Sequence, residues 1–107
     1  MRHFLVTALD TTDGTAPARR AAGREVHLAG IQELIAAGNF MFGGALLDGD
    51  DEVVGSVLIM RFEDKEAFDA WLQTDIYTVS GVWGSVDVRP CRPAAIPNPP
   101  WEQAAAR

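Results

Sequence analysis

Val53-Val54-Gly55-Ser56-Val57-Leu58-Ile59-Met60-Arg61-Phe62 decides the fold. Side chains of a strand alternate between two faces. One face carries Val54, Ser56, Leu58, Met60 and Phe62, and the other carries Val53, Val57 and Ile59. A sheet with one wet face alternates apolar with polar residues, and this segment is apolar on both sides. One side is expected to lie under helices. The other is expected to meet an apolar surface, most simply the same face of a second chain, so the pattern predicts a homodimer with sheets stacked face to face.

Outward from that strand, Asp48-Gly49-Asp50-Asp51 is a hairpin signal, and Phe40 to Leu47 reads as the preceding strand, interrupted at Gly43-Gly44. Further upstream, Phe4 to Leu9 is a β-rich run closed by the loop residues Asp10-Thr11-Thr12-Asp13-Gly14. A helix is expected over Ala18 to Ala37, with the stripe Arg24, His27, Leu28, Ile31, Leu34 and Ile35 inward and Gly38 as its C-terminal cap. Gly23 and Gly30 weaken that helix and make room for close packing. Downstream, Asp64 is the candidate N-cap of a second helix that buries Ala67, Phe68, Trp71 and Leu72 and ends near Thr74. Asp75 to Gly81 is a connector with room for one helical turn. Val82 to Arg89 is the fourth strand, with Val82, Val86 and Val88 on one face. The fold class is therefore α+β: a ferredoxin-like β-α-β-β-α-β unit with a four-stranded antiparallel sheet and both helices on one face.

The domain is expected to occupy residues 1–92, followed by a proline-rich tail over 93–107 in which Trp101 calls for a docking place. The whole chain has 107 residues, one domain's worth, which excludes a two-domain dehydrogenase, a kinase or a (β/α)8 barrel. Nine Lys and Arg stand against 15 Asp and Glu, a net charge of -6, so the electrostatic attraction behind nucleic-acid and anionic-membrane binding is missing. Cys91 is the single cysteine, which precludes an internal disulfide and fits a reducing cytoplasm. The apolar start is cut by Asp10, too early for a secretory signal, and no apolar run approaches a bilayer span, so the expected location is cytoplasmic.

Few residues are equipped for chemistry. His27, inside the apolar stripe, is either a hydrogen-bonded core residue or a general base. Asp75, before an aromatic residue and a turn, is a cap for the next short turn or a partner for that histidine. Two separated histidines and one cysteine do not make a metal site, and no nucleophile elbow, Walker loop or dinucleotide fingerprint occurs. Beside Cys91 only Arg89 and Arg92 favour a thiolate.

At this point the chain resembles the YCII-related (YciI-like) family over about Arg2 to Arg89. The matching pieces are Arg24-Glu25-Val26-His27-Leu28, Gly44-Ala45-Leu46-Leu47-Asp48, Gly55-Ser56, Asp75-Ile76-Tyr77 and Ser80-Gly81. The resemblance implies a dimeric α+β barrel built on the ferredoxin-like unit, and a pocket with a His–Asp pair that falls on His27 and Asp75. Relatives include a dehydrochlorinase of a chlorinated hydroxyquinol, and related barrels include muconolactone isomerases. Glu25, Ala45 and Ile76 stand where the family pattern has proline, which frees φ at three places around the pocket.

Two functions follow. In the first, the protein is a cofactor-free lyase or isomerase for a small acidic or cyclic carbonyl compound. His27 is the base, Asp75 its orienting partner, Arg24 the carboxylate binder, and Ser56, Tyr77 and Gly44 line the substrate. In the second, the same pocket binds a small molecule without turnover and the pair is structural. A lesser third reading makes the tail an interaction module.

Overall fold

The computed structural model describes residues 1–95 and Pro97. The expectations for Trp101 and most of the tail lie outside the described residues. Strands β1 (Arg2–Asp10), β2 (Phe40–Leu47), β3 (Val53–Phe62) and β4 (Trp83–Cys91) form one antiparallel sheet in the order β2-β3-β1-β4. Helices α1 (Ala16–Ala36), α2 (Lys65–Thr74) and the single turn α3 (Ile76–Val79) complete the chain. This is the ferredoxin-like unit from which α+β barrels are built. Among the described residues no helix is long and apolar enough to cross a membrane.

On one of its two faces, the segment that decided the fold lies under helices as its pattern requires. Ser56, Leu58, Met60 and Phe62 are buried beneath the helices, joined by Phe4, Val6 and Ala8 of β1. Phe68 of α2 is fully buried, stacked on Phe4 with ring centroids 4.6 Å apart. Val57 and Ile59 on the opposite face are half-buried, while Val53 and, on β2, Phe42 are exposed. Gly55 lies so close to β1 that a Cβ there would stand 2.2 Å from the Ala8 carbonyl oxygen.

Local chemistry sets the helix ends. Asp64 accepts a hydrogen bond from the Ala67 N–H at 2.9 Å, capping α2. Gly38, at φ +78°, closes α1: its own N–H donates to Ile35 O and the Asn39 N–H to Leu34 O, a Schellman pair. Asp48 holds the β2–β3 turn by accepting from the N–H groups of Asp50 and Glu52.

Several expectations shift. Helix α1 begins at Ala16, because Pro17 suits a first turn. Its inner face is rotated: Ala16, Gly23 and Leu34 are buried, whereas Arg24 and Leu28 are exposed. The small residues Ala16 and Gly23 carry the contact, and a hydrophobicity stripe undervalues them. Ala67 of α2 is likewise exposed. The irregularities of β2 lie between Phe40 and Phe42 and between Leu46 and Leu47, not at Gly43-Gly44, which both pair regularly with β3. β4 starts at Trp83 and runs through Pro90 to Cys91; it is an edge strand, where a missing N–H is tolerated.

Candidate functional site

A cleft of ≈ 340 Å³ opens between α1 and the β2–β3 side of the sheet. Helix α1 contributes Arg20, Arg24, His27 and Ile31 to its wall. Gly43, Gly44 and Phe40 of β2 form a second side, and Ser56 and Leu58 of β3 the floor. Tyr77 of α3 closes the end. Gly43 is required for shape, since a Cβ there would meet the Phe40 ring at 2.7 Å and Leu58 at 2.9 Å. A Cβ at Gly44 would meet nothing within 4 Å, so that position simply leaves the mouth open.

The residues singled out in sequence converge. His27 Nδ1 lies 3.2 Å and 3.1 Å from the two carboxylate oxygens of Asp75. A carboxylate only accepts, so it is the Nδ1-protonated imidazole that can donate across this contact. Both side chains are enclosed, with 13% exposure for His27 and 4% for Asp75. Asp75 also accepts from the Tyr77 N–H at 3.0 Å, so it caps α3 and meets the histidine with the same carboxylate. The cap and the partner are not alternatives.

Tyr77 fixes the imidazole from a third direction. Its ring stacks on His27 with centroids 4.0 Å apart and planes 12° off parallel, while Trp83 meets both rings edge-on. Gly23 makes this approach possible, since a Cβ there would lie 3.3 Å from Ile76 and 3.5 Å from the Tyr77 ring. Arg24 is exposed at the rim, with no carboxylate in ion-pair range among the described residues.

Three neighbours escaped the sequence reading: Arg20, Asp10 and Trp83. Arg20 donates through Nε and Nη2 to the two oxygens of Asp10, at 2.6 Å and 2.8 Å, and through Nη2 to Ser56 Oγ at 2.9 Å. Its Cζ lies 5.0 Å from the Tyr77 ring centroid. The hydrogen bond to Asp10 is the main reason the guanidinium is held even more firmly in its charged form. The spacing Arg20–Arg24–His27 is helical and places all three on one side of α1, a signal that was available. Asp10 gave none, because it reads equally well as the opening of a loop. Cys91 lies away from the cleft, and burial pushes its thiol pKa up, away from reactivity.

The sequence profile of the YCII-related domain family matches residues 3–92. Protein YciI of Escherichia coli O6:H1 is 32% identical over 93 residues, covering 81% of this chain and 93% of that relative. An uncharacterized protein of Haemophilus influenzae is 35% identical over 78 residues, covering 67% of this chain and 80% of its own length. Among solved structures, the 5-chloro-2-hydroxyhydroquinone dehydrochlorinase of Burkholderia phenoliruptrix, in complex with 2,5-dihydroxybenzoquinone, superposes with a TM-score of 0.73 at 25% identity, covering 84% of this chain and 93% of that one. A Pseudomonas aeruginosa protein with a TM-score of 0.53, 14% identity and coverage of 88% and 95% shares the fold alone.

Proposed function

Given that the chain belongs to the YCII-related family, we propose that its cleft binds a small cyclic carbonyl or acidic compound and that His27 acts there as a general base. The observation that carries this reading is the His27–Asp75 pair: an enclosed imidazole, tied through Nδ1, at the wall of a cleft. The likeness to a dehydrochlorinase with a dihydroxybenzoquinone bound supports an oxygenated six-membered ring as ligand.

The reaction class follows from the base. Nε2 takes a proton from a hydroxyl or carbon beside a carbonyl, and the electron pair left behind moves into the ring. It either expels a leaving group such as chloride, with net loss of one proton and one chloride, or is reprotonated at another carbon. The first outcome is elimination and the second isomerisation. Asp75 stabilises the imidazolium that forms, as a carboxylate does behind many catalytic histidines. Arg24 at the rim pairs with a substrate carboxylate. Ser56 and Tyr77 contact ring oxygens; in the elimination chloride departs with its bonding pair, and neither outcome needs an external oxidant or reductant.

The same reading places the site in a homodimer. Leu5, Val57, Ile59, Phe42 and Leu9 form an apolar surface on the sheet face that carries no helix, with Phe42 54% and Leu9 50% exposed. A second copy of that face covers it.

The test is chloride release from 5-chloro-2-hydroxyhydroquinone. The wild type is expected to release chloride above the buffer rate, and His27→Ala to lose about 10²–10⁴-fold, the usual weight of a general base, with circular dichroism unchanged. Equal turnover in His27→Ala would contradict the base assignment.

A further inference from the structure

Ser56 carries a constraint that the reaction alone does not require. Its side chain lies in a residue only 6% exposed, on the floor of the cleft. Its Oγ receives two donors, Arg20 Nη2 at 2.9 Å and Trp83 Nε1 at 3.1 Å. A hydroxyl has two lone pairs and one O–H, whereas guanidinium and indole N–H groups only donate. Neither bond can reverse its direction. Both lone pairs are taken, and among the described residues no acceptor meets the remaining O–H.

We propose that Ser56 is an obligate hydrogen-bond donor to the bound ligand, and that it selects a carbonyl, enolate or phenolate oxygen over any group that must donate. This rests on the reading of the cleft given above and specifies which ligand atom sits on its floor. Ser56 is the group that touches the ligand. Arg20, Trp83 and Asp10 are positioning residues: Asp10 holds two nitrogens of Arg20 and so keeps Nη2 on Ser56, and Trp83 is buried.

The consequence for catalysis is directional. As His27 removes a proton, negative charge grows on a ring oxygen. A donor whose polarity is already fixed, with a guanidinium at its back, stabilises that oxygen without having to reorient. A serine free to rotate would offer a lone pair to the same oxygen part of the time. The lock also makes Ser56 a poor site for an ammonium or amide N–H of a ligand, because no acceptor is left to receive it.

Two measurements test this. In the ligand-free protein, Ser56→Ala removes the acceptor of the Trp83 indole N–H; its ¹H–¹⁵N signal, assigned through Trp83→Phe, is expected to move upfield while that of Trp71 stays. An unmoved Trp83 signal overturns the lock. In the second, 2,5-dihydroxybenzoquinone is titrated into wild type, Ser56→Ala and Trp83→Phe. Ser56→Ala is expected to weaken binding by about tenfold to a hundredfold, the range for a hydrogen bond to a charged group. Trp83→Phe, which frees one lone pair, is expected to weaken it by a smaller factor, and it keeps the test alive should Ser56→Ala not fold. Undiminished binding in both variants overturns the donor role and leaves the cleft reading intact. No binding to the wild type, with the indole shift present, overturns the cleft reading and the donor role with it.

Discussion

Asp75 spends one carboxylate on two tasks: it starts α3 by accepting from Tyr77 N–H and holds His27 Nδ1. The turn residue that shapes the connector therefore also sets the orientation of the imidazole. The two arginines of the cleft divide their work differently. Arg20 is committed to Asp10 and Ser56, whereas Arg24 is exposed and unengaged among the described residues. Arg24→Ala is thus expected to raise KM for a carboxylated substrate and change stability by no more than about 0.5 kcal/mol, as surface substitutions do. Arg20→Ala is expected to cost about 1–3 kcal/mol, because Asp10 and Ser56 both lose a charged donor. Denaturation midpoints and KM values, measured together, separate the two. His27 and Asp75 were legible through the family pattern they match. Arg20 was legible only through its helical spacing with Arg24 and His27, because its partners Asp10 and Ser56 lie 10 and 36 residues away along the chain.

At the scale of elements, the seat of the site is the crossing of α1 and α3. Gly23 is the residue that lets them meet, with Ile76 and Tyr77 filling the space of its missing side chain. Gly23→Leu is expected to push α3 outward, drag Asp75 from His27 and lower Tm by several degrees, about 4–8 °C for each kcal/mol in a domain of this size. Gly30→Leu serves as the matched control: a Cβ at Gly30 meets nothing within 4 Å, so Tm should hold. Equal damage from both would contradict this account of the crossing. Strands, hairpin and caps could be read from local chemistry, since Asp48, Asp64 and Gly38 each act through neighbours a few residues away. The phase of α1 could be read only in part. The expected stripe was right at Leu34, which is buried, and at Ile31, which packs on the core, but the buried face continues through Ala16 and Gly23, whereas apolar periodicity pointed to Leu28, which is exposed.

For the whole molecule, the two-sided strand is the governing fact. Helices cover Leu58, Met60 and Phe62, and the far face stays apolar along Leu5, Ile59 and Phe42. The homodimer proposed from this predicts a solution mass twice the monomer's 11.6 kDa by light scattering. Ile59→Glu, which places a charge at the middle of the face, is expected to shift the protein to monomer or to low solubility. A monomeric wild type at micromolar concentration would contradict the stacking. Because the cleft lies on the helical side of the sheet, a monomeric Ile59→Glu that keeps its fold would also show whether turnover needs the second copy.

The central claim is that Asp75 holds the Nδ1 proton of His27 and leaves Nε2 free to accept one. The most direct measurement is the ¹⁵N spectrum of the neutral His27 imidazole, assigned with a His3→Gln variant, in wild type and Asp75→Asn. The account predicts a protonated Nδ1 and an unprotonated Nε2 in the wild type, with that preference weakened or lost in Asp75→Asn. A proton on Nε2 in the wild type, or a tautomer indifferent to Asp75, would contradict it.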